Sequence, residues 1–275
     1  MSSVSLPRKA VIIAVAVAFF LPLWWLTISA FRPTDSIFRF LSPISIYTFW
    51  PDEWTFRNIL GVWNSPFRLA IWNSILVSTI TVAIGLVLCS MAAFALAVIE
   101  FPFRNAIFAV MVISFLIPFD AIAVPLFSIM RSFGLQDSYT GLILPGIGNG
   151  LAVFLLRQFF MGIPKEIREA AIVDGMGWFR IYRTIYLPLS VPAMVSAAII
   201  LFVFQWQSYL WPLLIAPGAE YKVAAVAIAQ FSNGYQIDYG LIFAAALFIA
   251  AIPMAVLTVL QRFYSASIAA TGSKE

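Results

Sequence analysis

The chain has no histidine and one cysteine, Cys89, set inside an apolar run. The usual proton shuttle and the commonest metal ligand are therefore missing. A Ser-His-Asp or Cys-His arrangement cannot be assembled, and no disulfide can form within the chain. No stretch matches GxxxxGK[ST], so the chain brings no phosphate-cradling loop of that kind. Its acidic residues lie mostly in polar connections and do not pair at metal-ligand spacing. No catalytic residue, metal ligand or bound cofactor is expected. What remains is recognition. Asp120 is the acidic residue set well inside an apolar stretch, between Pro118 and Pro125. An ionisable group there is a functional candidate; equally, it is a carboxylate near the outer surface, satisfied by water or a free backbone N–H. Asn149, Gln205 and Gln207 offer amides to hydroxyl groups, and Trp206 and Trp211 offer indole faces for stacking. Trp211 reads equally well as an interfacial belt residue.

The other chemically informative stretch is 162–188, GIPKEIREAAIVDGMGWFRIYRTIYLP, the longest run resembling a soluble surface. Pro164 suits the first turn of a helix, where its missing N–H is no loss. Gly175 suits the position just past a helix end. Between them Ile167, Ala170, Ala171 and Asp174 recur at spacings of three and four, hence on one face. Lys165, Glu166, Arg168 and Glu169 lie around the rest. The spacing predicts a short helix with a small-residue face, a glycine break, and a second helical piece ending near Pro188. An alanine–glycine face favours close docking over core building.

The elements that must position these groups are set by composition. The chain is 63% hydrophobic and 10% charged, with a mean hydropathy of +0.98. A soluble domain of 275 residues could not hide that much apolar surface, so lipid is its solvent. Spans are predicted at 10–31, 71–99, 105–130, 141–160, 189–215 and 239–261, forming one domain over 1–275. The first is 22 residues without a charge, too long for a signal-peptide core, and reads as a retained helix. Residues 32–70 form a long aromatic-rich connection, read as packing or as a docking surface. Residues 90–97 give the second span a small-residue stripe suited to helix contacts in lipid. In the third span Pro118 and Pro125 predict a kinked or unwound segment, and Gly146, Gly148 and Gly150 allow the fourth to bend.

Six spans place both termini on one side. That side receives Arg8, Lys9, Arg104, Arg157, Lys165, Arg168, Arg180, Arg183, Arg262 and Lys274. The other receives Arg32, Arg39, Arg57, Arg68, Arg131 and Lys222. The excess of basic residues predicts cytosolic termini and puts 162–188 in the cytosol.

Glu169-Ala170-Ala171, with Asp174-Gly175 and then Ile185, Leu187 and Pro188, resembles the EAA loop of ABC importer permeases. The following Pro188-Leu189-Ser190-Val191-Pro192 is similar to the carbohydrate, maltose-permease-like branch, and Ala92–Ala97 with 100–104 resembles the same family more loosely. The resemblance implies an all-α polytopic protein of six transmembrane helices with a cytosolic coupling-helix loop. It implies a multi-pass protein of a prokaryotic cytoplasmic membrane. Implied partners are a second homologous permease, two ABC ATPase subunits that carry ATP and Mg, an extracytoplasmic solute-binding (lipo)protein and lipid; nucleic acid is not among them. By the same resemblance Glu169, Ala170, Ala171, Asp174 and Gly175 form the ATPase contact. Asp120, Asn149, Gln205, Trp206, Gln207 and Trp211 are candidates for the pathway of a sugar or oligosaccharide. Two departures stand out: a carboxylate at 120 where the family often has an amide, and Trp206-Gln207 where it has tryptophan–asparagine. Rival readings are the same machine importing glycerol-phosphate, a polyol or an amino sugar, a self-sufficient ion-coupled transporter, and a structural or sensory membrane subunit without cargo. The ion-coupled reading would need coupling-ion sites and often two related halves; only Asp120 is available, and no repeat is visible.

Overall fold

In the computed structural model residues 6–233 and 236–271 are described, with side chains over 7–232 and 237–261. Of the basic residues counted above, Lys274 lies outside the described residues, as does the side chain of Arg262. Contacts divide the chain into two compact units, one of 1–71 with 227–252 and one of 72–226 with 253–275.

The first unit opens with α1 (Leu6–Ala30), which carries Pro22 inside it. Only 6% of its most apolar window is buried. Val11, Phe19 and Phe20 point outward, as a helix solvated by lipid requires. Its last carbonyls are not left open: Asn58 Nδ2, on α2 (Arg57–Trp63), donates to the carbonyls of Ala30 and Arg32 at 3.2 and 2.7 Å. Arg32 is fully buried and donates to the Tyr47 carbonyl at 2.5 Å. Burial lowers the affinity of its guanidinium for the proton, and the Asp52 carboxylate pulls the other way. Several aromatic residues of 32–70 have ring partners. Trp24 stacks on Trp50, Phe38 meets Tyr239 edge-on, and Phe67 meets Phe231. Phe56 and Trp50 keep exposed edges all the same. A two-residue antiparallel pair, β1 (Ser232–Asn233) with β2 (Gln236–Ile237), precedes the long α14 (Tyr239–Thr271).

The second unit is built on α3 (Phe67–Val98), which begins in the first, followed by α4 (Arg104–Leu116) and α5 (Phe119–Ser132). Then come α6 (Tyr139–Ile143), α7 (Gly150–Met161), α8 (Lys165–Val173) and α9 (Trp178–Ile181). After a π-helical turn at Tyr182–Tyr186 come α10 (Leu187–Leu189), α11 (Val191–Trp206), α12 (Leu210–Ile215) and α13 (Ala224–Ala227). One core gathers Cys89, Ala93, Phe94, Leu156, Phe160, Ala171 and Tyr182. A second gathers Val77, Met130, Leu142, Trp211 and Ile215. The connection after α12 is pinned by polar groups of α3. Asn73 Nδ2 donates to the Glu220 and Lys222 carbonyls at 2.7 and 2.9 Å, and Ser74 accepts from the Ala224 N–H at 2.8 Å.

Among the described residues three helices are long and apolar enough to cross a membrane, and up to six spans result if each sharply bent pair counts as one. The fold is thus all-α and polytopic, as the sequence predicts, but the breaks differ in detail. Pro118 marks a 99° break between α4 and α5, whereas Pro125 stays inside α5. Pro125 is the seventh of the fourteen residues of α5, so it forgoes the interior hydrogen bond to the residue four before it without ending the helix. The fifth span, expected as one run over 189–215, is α11 and α12 separated at 207–209, and 178–189 meets α11 at 86°.

Candidate coupling elbow and solute-facing residues

Helix α8 begins after Pro164 and ends at Asp174, with Gly175 in the left-handed region at φ +75°. The Gly175 N–H donates to the Ile172 carbonyl at 2.9 Å and the Met176 N–H to that of Ala171 at 3.0 Å. This pair of bonds closes the helix end. The predicted small-residue face divides. Ala171 is buried against the chain's own core, while Ala170, Ile167 and Asp174 remain exposed. Val173 is 87% exposed beside them. Glu169 is also mostly exposed and lies 3.6 Å from Arg168, an ion pair too solvated to hold the helix.

Arg168 does not lie on the open side of the helix. Its side chain turns inward and donates to the Val98 carbonyl at 3.2 Å. Two further arginines do the same at this end of α3: Arg157 Nε reaches the Leu96 carbonyl at 3.1 Å, and Arg104 reaches that of Ile99 at 3.2 Å. The C-terminus of a helix presents unpaired carbonyls and partial negative charge, and guanidiniums satisfy both. Arg157 also lies over the Phe108 ring at 3.9 Å. Sequence reading missed these caps because it counted the arginines only as topology signals. The visible clue was Arg157, which sits inside an apolar run with no acidic residue at helical spacing.

The elbow meets α3 through rings as well. Phe94 faces Tyr182 at 5.3 Å and Tyr186 at 5.0 Å, and the Tyr182 hydroxyl is 2.7 Å from that of Ser90.

The residues proposed to face a solute fall into two groups. Asp120 stands exposed in the first turn of α5, where a carboxylate is favoured by the helix N-terminus. Its neighbour Phe119 meets Trp211 edge-on at 5.8 Å. Trp211 is buried and its indole N–H donates to the Gly141 carbonyl at 3.0 Å, so that ring is committed to packing. The second group lies at the break before α7 and at the C-terminal end of α11. Asn149 is the N-cap there, accepting from the Ala152 N–H at 3.0 Å. Half-buried Gln205 lies against Gly146, where a Cβ would strike its Oε1 and sit 2.9 Å from Thr81 Cγ2. Trp206 is buried and stacked on Phe202 at 5.5 Å. Gln207 is exposed.

An all-α chain of broken spans joined by a short exposed helix is matched by known proteins. Residues 85–269 match the binding-protein-dependent transport system inner membrane component. The chain belongs to that family. It is 31% identical over 256 residues to the arabinooligosaccharides transport system permease protein AraQ of Halalkalibacterium halodurans, covering 92% of this chain and 90% of that one. It is 33% identical over 224 residues to the sn-glycerol-3-phosphate transport system permease protein UgpE of Yersinia enterocolitica, with 78% and 79% covered. It is 31% identical over 264 residues to the diacetylchitobiose uptake system permease protein NgcG of Streptomyces coelicolor, with 94% and 85% covered. In fold it is similar to a bacterial ABC transporter involved in the import of the acidic polysaccharide alginate, with a TM-score of 0.81 at 18% identity, covering 96% of this chain and 100% of that one. The chain is thus a permease of an ABC importer, a transport component of the inner membrane.

Proposed function

We propose that this permease is one of two homologous membrane subunits of a carbohydrate importer, and that α8 is the segment gripped by a cytosolic ATPase. The observation that carries the proposal is the division of α8. Ala171 ties it inward, while Glu169, Ala170 and Val173 stay outward and Gly175 closes its end. An apolar knob beside a carboxylate, on a helix whose inner side is already packed, suits a partner's cleft. ATP and Mg belong to that partner, and an extracytoplasmic binding protein delivers the solute. The solute is an oligosaccharide, as for two of the three relatives named. Asp120, Gln205 and Gln207 are the chain's own contacts to it, with Asn149 and Trp211 supporting from behind.

Glycerol-phosphate is the second reading, favoured by the similarity to UgpE. A phosphate ester needs free cations along its path. Apart from Arg157 near one end of the fourth, the six predicted spans hold no lysine or arginine, which supports the neutral sugar.

The test is uptake and ATP hydrolysis by the assembled complex in proteoliposomes. Glu169→Lys is expected to abolish uptake while the chain still inserts and the free ATPase subunit still hydrolyses ATP. Asp120→Asn is expected to weaken uptake with hydrolysis retained. Wild-type uptake in both variants would remove the assignment.

A further inference from the structure

We infer that the hydrogen bond between Tyr182 and Ser90 is the link through which displacement of α8 reaches α3, making Tyr182 a positioning residue for transport. The inference rests on the reading of α8 given above. Residues 178–189 meet α11 at 86°. A helix bent so sharply cannot push its successor along a common axis, so motion of the elbow must leave it sideways. The π-helical turn at Tyr182–Tyr186 carries an extra residue in its turn, a feature often found at functional sites. There Ile181, Tyr182 and Tyr186 are all buried, and the two tyrosines close on Phe94.

Within that apolar contact one polar link runs across. Ser90 is 0% exposed and its Oγ lies 3.0 Å from the Val87 carbonyl. Each hydroxyl has one proton. Both protons find acceptors only if Tyr182 donates to Ser90 and Ser90 donates to Val87. The link is therefore directional, and a buried bond of this kind is costly to leave unmade. Ser90 lies about 12 Å along α3 from Val98 at 1.5 Å per residue. The other polar tie, Arg168 to the Val98 carbonyl, is a long side chain holding only the helix end. Tyr182 thus grips α3 well inside its length, where displacement turns the helix instead of fraying its tip.

The experiment is hydrogen exchange of the purified full complex, nucleotide-free against ATP, Mg and vanadate, read on peptides covering 86–98 and 165–175. In the wild type both segments are expected to change protection. In Tyr182→Phe the change at α8 stays, the change at α3 falls several-fold, and ATP hydrolysis continues. Ser90→Ala strands the buried Tyr182 hydroxyl, so it lowers thermal stability more than Tyr182→Phe does. The double variant regains that stability without regaining the α3 response. A wild-type response of α3 in Tyr182→Phe, its absence in the wild type, or its return together with stability in the double variant would each overturn the inference. An α8 that gains no protection when the ATPase binds would overturn the reading of α8, and the inference with it.

Discussion

Gly175 holds a backbone conformation that costs an L-residue about 1–2 kcal/mol, with no atom near enough to obstruct an added Cβ. Gly175→Ala should therefore cost roughly 1 kcal/mol through strain alone. A lower unfolding temperature of the detergent-solubilised complex, with measurable uptake remaining, is the expected reading. On the proposal that an ATPase grips α8, a bulky charged side chain at the same place is expected to abolish uptake as well. Gly175 was legible because one residue type answers one conformational need. Arg168 was not: its type fits a solvated face as well as an inward turn, and only the position of the Val98 carbonyl decides between them. The same holds for Trp211. An indole in an apolar run suits a core, a belt or a sugar platform, and the Gly141 carbonyl it finds is distant in sequence.

At the scale of elements, the spans were visible and their breaks only partly so. Hydropathy runs register length and apolarity, which lipid imposes directly. A break instead depends on which carbonyls and N–H groups find other partners. Pro118 announced its break by removing a donor, whereas Pro125, of the same type, lies inside α5 without ending it. The break before α7 is stabilised by Asn149, whose carboxamide replaces a missing partner for the Ala152 N–H. Truncation to Asn149→Ala should cost about 1 kcal/mol of stability, and Asn149→Ser should recover most of it. If capping is the whole of its role, uptake by Asn149→Ser matches the wild type. Lost uptake with recovered stability would instead make Asn149 a solute contact. Ser190 is fully buried at the 86° bend with its hydroxyl unpartnered among the described residues. In the sequence it counted, with Pro188 and Pro192, only toward the family resemblance, which carries no information on burial.

For the whole molecule, the distribution of basic residues predicts that Lys165 faces the cytosol. An amine-reactive reagent that cannot cross the membrane should leave Lys165 unmodified in intact cells and label it in inverted vesicles. Modification from outside would reverse the topology and detach α8 from any ATPase. Partner surfaces are what the sequence conveys least at this scale. The apolar outer faces of α1 and α4 look alike whether lipid or a second permease covers them, since both are matched by the same side chains. Cys89 bears on how such faces are mapped. It is the chain's sole thiol and is 2% exposed, shielded within the core around Phe94. Maleimide and spin-label chemistry therefore meets almost no native background on this subunit. One engineered cysteine on any outward position becomes a clean reporter of what lies against it, with the natural protein itself serving as the blank.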